Sequence, residues 1–366
     1  MTQQWIGGVD AHKQSLTVAL VEPAGGGVAA VSFANTQAGL VEVLAWLAEQ
    51  PATLLRIGVE GSAGHGRHLA MVLLAAGYDV REVPARRTAA RRRERRRAKT
   101  DIEDAYAIAR ATAGEPTLGP VKPGAGLGAA HEELVVLVGH RGILVARRTM
   151  MLNHAEATLA ALPLALTDTL RGRAVRPRLR TLLATDHGQQ PAPVRAQLAL
   201  LAELHTDLAD LSGRIRQLES RLARLISACG STLLAEHGIG VVTAATLLAE
   251  VGDPTRFRTE SAFNRWWGGA PVAVSSGEGH GQPTRHRLDL LGNRTVNHVL
   301  HIMSVTQARY HPPARTYLQG KRAAGHTGRE ARRAHKTLLG RRIIRRMWTD
   351  HHRQHNPHQD QQTVAA

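Results

Sequence analysis

Residues 86–110 read RRTAARRRERRRAKTDIEDAYAIAR. A dense run of arginines stops at Lys99 and Thr100, and two aspartates follow one helical turn apart, Asp101 and Asp104. A local reading accounts for the acids. Thr100-Asp101-Ile102-Glu103 has the capping-box pattern, with Thr100 as N-cap and Glu103 reaching back from the third helical position. Asp101 then sits at the positive end of a helix dipole. On that reading the acids only start a helix, and the arginines are a solvated segment. The other reading makes the cationic arm and the paired carboxylates parts of one site, and the rest of the chain decides between them.

The chain has 366 residues, enough for two or three domains and more than one core. Hydrophobic residues make up 43% of it, so it folds, but aromatics are only 3%, so the cores are built from Ala, Leu, Val and Ile. The formal charge is +17, from 47 Lys and Arg against 30 Asp and Glu. A field of that sign favours polyanions through steering and counterion release, which makes nucleic acid the expected partner ahead of an anionic membrane surface. The scarcity of aromatics suits phosphate-backbone contacts better than base stacking. One cysteine, Cys229, excludes an intrachain disulfide framework and a thiolate metal cluster. The start MTQQWIGGVD has no charged-then-apolar leader, and no apolar run reaches membrane-spanning length. The expected location is a bacterial-type cytoplasm, in association with the nucleoid.

Along the first part, WIGGVD, SLTVALVE and GGVAAVSFAN read as strands. Residues 37–50 carry Leu40, Val43, Leu44 and Leu47 at helical spacing. LLRIGVEGS (54–62) is a short apolar strand that ends in a carboxylate, GHGRHLAMVLLAAGYDV a helix, and VREVP a further strand. A meander followed by alternating strands and helices implies a mixed sheet with helices packed on it. In the middle, Leu201, Leu208, Ile215, Leu222 and Cys229 interleave with Leu204, Leu211, Leu218 and Leu225. Steps of three and four over four heptads predict a coiled coil, either between chains or with the helix expected at 130–160. The stretch 171–193, rich in Pro, Arg and Gly, reads as the connection between two long helices. AEHGIGVVTAATLLAEVGD (235–253) has the form of a helix-hairpin-helix, whose glycine turn offers backbone N–H groups to a phosphate.

Four acids then share a destination. Asp10 ends the first strand, Glu60 ends the later one, and Asp101 and Asp104 point to one face of a helix. Adjacent strands deliver Asp10 and Glu60 to one sheet edge, and a helix laid across that edge adds the other two. Carboxylates held that close need cations between them or protons on some of them. Oxygen-only ligands suit Mg²⁺ or Mn²⁺, and a pair of such ions is the usual device for phosphodiester chemistry. Taken singly, each acid also fits a turn or cap.

Asp10, Glu60 and AKTDIEDA, followed by HGIGVVTAATLLAEVGD and GGAPVAVSSGEG, resemble the insertion sequence 110 family of DNA transposases. These are the DEDD transposases, also described as bridge-RNA-guided recombinases. The resemblance runs from the first strand to about residue 348. It implies an α/β plus α architecture: a RuvC-like, RNase H-like domain at 1–125, a helical and coiled-coil region at 126–230, and a mainly helical C-terminal domain at 231–350; the polar tail at 351–366 reads from its own residues as disordered. It assigns Asp10, Glu60, Asp101 and Asp104 to the metal-binding acids. The nucleophile it implies is Ser276, the serine directly before glycine, with Ser275 as the adjacent alternative. DNA and a structured noncoding guide RNA are the implied partners, and strand exchange implies a homo-oligomer, a dimer or a dimer of dimers. Arg91, Arg92, Arg95, Arg96 and Lys99, with Arg285, Arg287 and Arg294, are the expected phosphate contacts. Where family members often carry Ser-Lys before the downstream Gly-Asn, this chain has Asp289 and Leu290.

Three rival functions fit parts of the sequence. An actin-like kinase shares the strand order, but EGSAGHG lacks the Walker spacing. A hydrolytic Holliday-junction-type nuclease needs the acids and not the serine. A non-catalytic nucleic-acid scaffold needs the charge alone.

Overall fold

Strand β1 (Gln4–Ala11) is buried on both faces of a sheet, which fits its run of small and apolar residues with little polar alternation. It forms a hairpin with β2 (Ser15–Val21), Asp10 standing opposite Thr17. β3 (Gly27–Ala34) extends the meander antiparallel to β2. Helix α1 (Gln37–Ala48) then crosses to β4 (Thr53–Val59), which pairs in parallel with β1, Gly8 opposite Gly58. Helix α2 (Arg67–Ala75) leads to β5 (Val80–Glu82), parallel to β4. The order is β3-β2-β1-β4-β5, a five-stranded mixed sheet. Its strands and helices lie where the apolar spacing predicts them.

The computed structural model describes residues 3–85, 100–116, 118–121, 128–273, 286–288 and 292–355, with backbone alone at 271–273 and 286–288. The chain divides into two units, Met1–Glu132 with Gly230–Ala366, and Glu133–Cys229.

The two faces of the sheet carry different helices. Trp5, Val9, Val18, Leu20, Ile57 and Val59 join Leu40, Val43 and Leu47 of α1 and Leu69 and Leu73 of α2 in one apolar core. The opposite face belongs to α3 (Asp101–Gly114). It lies so close to the sheet that a Cβ at Gly8 would fall 2.1 Å from Ala109 N, and one at Gly58 1.9 Å from Thr112 Oγ1. Glycines at these paired positions let a helix backbone rest directly on β1 and β4. Ile6, Val21 and Ala109 close one side of that layer, and Val83, Ile108, Ala111 and Leu118 the other.

Residues after Gly230 belong to the same unit as the sheet. A three-residue 3₁₀ turn (Leu233–Ala235) precedes a bend with Gly238 at φ 83°, and α8 (Val241–Val251) follows. Arg256 helps join the two sequence segments. Its Nη1 donates to Pro120 O at 2.8 Å, and its guanidinium lies over Phe257 and Trp266 at 4.5 and 4.8 Å. Burial pushes this arginine down to about 10. Helices α9 (Glu260–Trp266), α10 (Arg294–Tyr310), α11 (Pro312–Ala323) and α12 (Gly328–His355) complete the unit. Short strands β6 (Pro271–Ala273) and β7 (His286–Leu288) pair antiparallel. Helix α12 runs on through His355, so the first residues of the stretch expected to be disordered, 351–366, are helical; 356–366 lie outside the described residues.

The second unit is built from two long helices, α4 (Ala129–Ala161) and α7 (Ala192–Ala228). Leu201, Leu204, Leu208, Leu211, Ile215, Leu222 and Leu225 of α7 are all buried. Leu144 of α4 packs with Leu211 and Ile215, and the Arg141–Glu219 (2.7 Å) and Arg221–Glu133 (2.6 Å) pairs flank them. Residues 171–193 are more than a connection. They include α6 (Val175–Leu183), after a one-turn α5 (Leu164–Thr167). Leu179 and Leu182, one turn apart on α6, bury themselves against Ala155, Leu159, Leu198 and Leu201. That apolar pair within an arginine-rich segment is what holds it on the long helices. No helix among the described residues is long and apolar enough to cross a membrane.

Candidate metal centre

Strand parity decides which side chains meet α3. Ile6 and Gly8 face that helix, so Asp10, two residues on, does too. His12 continues the same parity beyond the strand. On β4, Gly58 faces α3, and the alternation carried one residue past the strand assigns Glu60 to the same side. Glu60 N donates to Val9 O at 3.2 Å, which sets Glu60 beside Asp10 along the backbone.

The helix supplies the remaining acids at its N-terminus. Thr100 is the N-cap, with extended backbone, and its Oγ1 accepts from Glu103 N at 3.2 Å. Asp104 N donates to Thr100 O at 3.0 Å. The cap expected from Thr100 and Glu103 therefore orients Asp101 and Asp104 on the first turn, one exposed and the other 6% exposed.

These elements converge on one cluster. Donor atoms of Asp10, His12 and Asp101 lie within 4.8 Å of one another. His12 Nε2 stands 3.2 Å from Asp10 Oδ2 and 3.5 Å from Asp101 Oδ1. Asp10 is 8% exposed, and its Oδ2 is buried without a hydrogen bond of good geometry. Burial raises its pKa, and the charges of Asp104 and Asp101 raise it further, while His12 acts in the opposite sense. Asp104 thus acts on Asp10 as a neighbouring charge. Of the four expected acids, the tight cluster holds Asp10 and Asp101; Glu60 and Asp104 lie at the same end of the sheet outside that set of donor atoms.

Two residues that the sequence analysis passes over belong to this site. His12 follows Asp10 by two, and strand parity is the signal that reveals it. Asn35 has no such signal. Its Nδ2 donates to His12 O at 2.8 Å and to His65 O at 3.1 Å, holding the β1–β2 turn against the loop after Glu60. Ser62 Oγ donates to Glu82, tying that loop to β5.

A buried carboxylate crowded by further carboxylates favours a positive partner, a part that a protonated His12 or a bound cation can take. Oxygen donors with one imidazole are a suitable ligand set for a divalent cation.

The expected nucleophile and most of the expected phosphate contacts are not in this picture. Ser275, Ser276, Arg91, Arg92, Arg95, Arg96, Lys99 and Arg285 lie outside the described residues, and Arg287 is described by backbone alone, opposite Val272 in the β6–β7 pair. Ser276 falls in the chain segment that joins β6 to β7. Arg294 is exposed at the start of α10. The residue before it, Asn293, caps that helix through Oδ1 to Val296 N (2.9 Å) and donates to Glu250 at 2.8 Å.

Two family models match the chain. Residues 7–162 match the DEDD transposase model of IS110 elements, and residues 231–319 match the transposase model of the IS116/IS110/IS902 family; together they take in about two thirds of the chain. A "probable family 20 transposase" of Pseudomonas aeruginosa is 35% identical over 186 residues, 49% of this chain and 51% of that protein. An "insertion element IS110 uncharacterized 43.6 kDa protein" of Streptomyces coelicolor is 31% identical over 135 residues, 36% of this chain and 32% of that protein. The chain thus spans about half the length of the first of these relatives and a third of the second. The first model covers the sheet, its acids and α3, and the second covers α8 to α10 and the start of α11, so the chain belongs to the IS110 family of transposases.

Proposed function

We propose that the protein cuts and rejoins DNA strands as the transposase of an insertion element, with Asp10, Glu60, Asp101 and Asp104 holding divalent cations (Mg²⁺ or Mn²⁺) and Ser276 as nucleophile. The observation that carries this reading is the meeting of Asp10 and Asp101 with His12 at one edge of a mixed, RNase H-like sheet, in a chain of a transposase family. A cation bound there lowers the pKa of a nearby hydroxyl and offsets the charge that builds on the phosphate.

The chain's own residues do the rest. Ser276 Oγ attacks phosphorus, its proton passes to the departing 3′-oxygen, and a phosphoserine link and a free 3′-hydroxyl result. The 3′-hydroxyl of a second strand reverses the step, so the strands exchange without hydrolysis. Arg91, Arg92, Arg95, Arg96 and Lys99 neutralise backbone phosphates beside the acids, and Arg285, Arg287 and Arg294 do so beside the serine. The glycine bend before α8 is read as a helix-hairpin-helix turn that presents N–H groups to a further phosphate. A structured noncoding RNA supplies target choice by base pairing, and the protein reads backbone and shape.

Strand exchange needs several active sites, hence a homo-oligomer. A feature of α4 supports this. Val136, Ile143 and Met150 are 69%, 60% and 64% exposed, seven residues apart, and Gly139 and Ala146 lie between them. This is a heptad seam with small residues in alternate positions, suited to a coiled-coil contact with a second copy.

The acids alone also fit a hydrolytic junction nuclease. One experiment separates the two. Protein is recovered under denaturing conditions from cells carrying the element and its flanking DNA. The recombinase reading expects a covalent protein–DNA adduct that disappears in Ser276→Ala. Cut DNA with no adduct in either protein favours hydrolysis, and rearrangement unchanged in both Ser276→Ala and Asp101→Ala reduces the protein to a scaffold.

A further inference from the structure

We infer that the metal centre is not made of carboxylates alone: His12 Nε2 is a ligand, and it biases the centre toward a first-row transition cation, Mn²⁺ among them, over Mg²⁺. This rests on the metal-centre reading above and adds a donor of a different chemical kind.

Spacing is the first argument. Ligands cis to each other around an ion with bonds of about 2.1 Å lie roughly 3 Å apart. His12 Nε2 is 3.2 Å from Asp10 Oδ2 and 3.5 Å from Asp101 Oδ1. All three donors lie within 4.8 Å of each other, so they fit one coordination sphere with small adjustments. The buried Asp10 Oδ2 faces His12 Nε2 inside that group, so the two donors already point at a common position.

Placement is the second. His12 is held at its backbone on both sides: its N–H donates to Ser15 O at 2.8 Å, and its carbonyl accepts from Asn35 Nδ2 at 2.8 Å. Its side chain remains half exposed, at 52%. The imidazole is therefore anchored by its main chain and not packed in a core, which separates it from a histidine that merely fills space.

Donor chemistry is the third. Mg²⁺ prefers oxygen ligands and sheds water reluctantly, whereas imidazole nitrogen is a better donor to transition cations. A single nitrogen among carboxylates keeps Mn²⁺ acceptable and penalises Mg²⁺ relative to it.

The test uses the full chain and Mn²⁺ as probe, read by electron paramagnetic resonance. Wild type is expected to bind Mn²⁺ with a ¹⁴N coupling in the pulsed spectrum. In His12→Ala and His12→Gln the coupling is lost, and the excess of Mg²⁺ needed to displace Mn²⁺ falls roughly tenfold. Asp101→Asn serves as the carboxylate control and is expected to weaken Mn²⁺ and Mg²⁺ together. Mn²⁺ bound without ¹⁴N coupling, and displaced by the same Mg²⁺ excess in wild type and both His12 variants, overturns the inference and leaves the carboxylate centre standing. Failure of wild type to bind Mn²⁺ at all overturns both.

Discussion

Gly8 of β1 lies directly beneath Ala109 of α3, so close that a Cβ on Gly8 would sit 2.1 Å from the Ala109 nitrogen and 2.6 Å from the Ala105 oxygen. The contact explains how a strand carboxylate and a helix carboxylate reach one place. Asp10 is two residues beyond Gly8, and Asp101 is two turns before Ala109, so the backbone approach at Gly8 fixes the height of α3 above Asp10. Gly8→Ala must push backbone, which does not yield cheaply. The expected cost is on the order of 3 kcal/mol in denaturant unfolding, with loss of Mn²⁺ binding. Gly320→Ala is the contrasting variant: at an exposed position of α11 its Cβ meets nothing within 4 Å, and it should stabilise by up to about 1 kcal/mol. Unchanged stability in Gly8→Ala would show that α3 does not press on β1 in solution.

Asn35 is expected to act on the site through His12. Asn35→Ala removes the donor to both the His12 and His65 carbonyls. Both are near the surface, where water replaces the lost bonds, so global stability should change by about 1 kcal/mol or less. Mn²⁺ affinity should nonetheless fall several-fold, because the turn that carries His12 is no longer tied to the loop after Glu60. A variant that binds Mn²⁺ as wild type does, as measured by titration, would make this amide a loop fastener without bearing on the site.

What the sequence makes legible here follows from range. Asp10 and Asp101 are readable because each depends on local rules, strand parity in one case and an N-cap with its first turn in the other. Thr100 does cap the helix, and the cap is what aims the acids, so a capping role and a metal-binding role for Asp101 and Asp104 are compatible. His12 escapes notice because strand parity sets it beside Asp10 without giving it a role; Asn35, 23 residues away, and Asp101, 89 residues away, supply the rest. The joining of the first and last segments in one unit is less readable still. It depends on contacts such as Arg256 with Pro120, 136 residues apart, and on Trp266 against Gly119, which no local pattern encodes. The helix within residues 171–193 was obscured by its arginines, which outnumber the two leucines that hold it.

The seam on α4 predicts an oligomer that charge can break. Ile143 is the central residue of the exposed series, so Ile143→Glu should leave folding within about 0.5 kcal/mol of wild type. Sedimentation at micromolar protein should show the wild type as a dimer or larger and the variant shifted toward monomer. Val136→Glu should repeat the effect. An identical size distribution in all three proteins would remove α4 from the interface.

His335 gives stability a pH dependence of known sign. It is 2% exposed, and Ser304 Oγ lies 2.9 Å from its Nδ1. Burial, followed by the charges of Arg342 and His311, pushes its pKa down to about 4 from an ordinary value of 6.5. Between those values the unfolded chain takes up a proton that the folded chain refuses. Its contribution is therefore whole above pH 6.5 and is lost as pH falls toward 4, by at most about 3 kcal/mol. Urea unfolding of wild type and His335→Gln across pH 7.5 to 4.5 isolates it. The variant is less stable at pH 7.5, because it disturbs a packed site, but its stability should fall less steeply on acidification. Parallel curves would mean that His335 takes its proton as readily in the folded protein as in the unfolded chain.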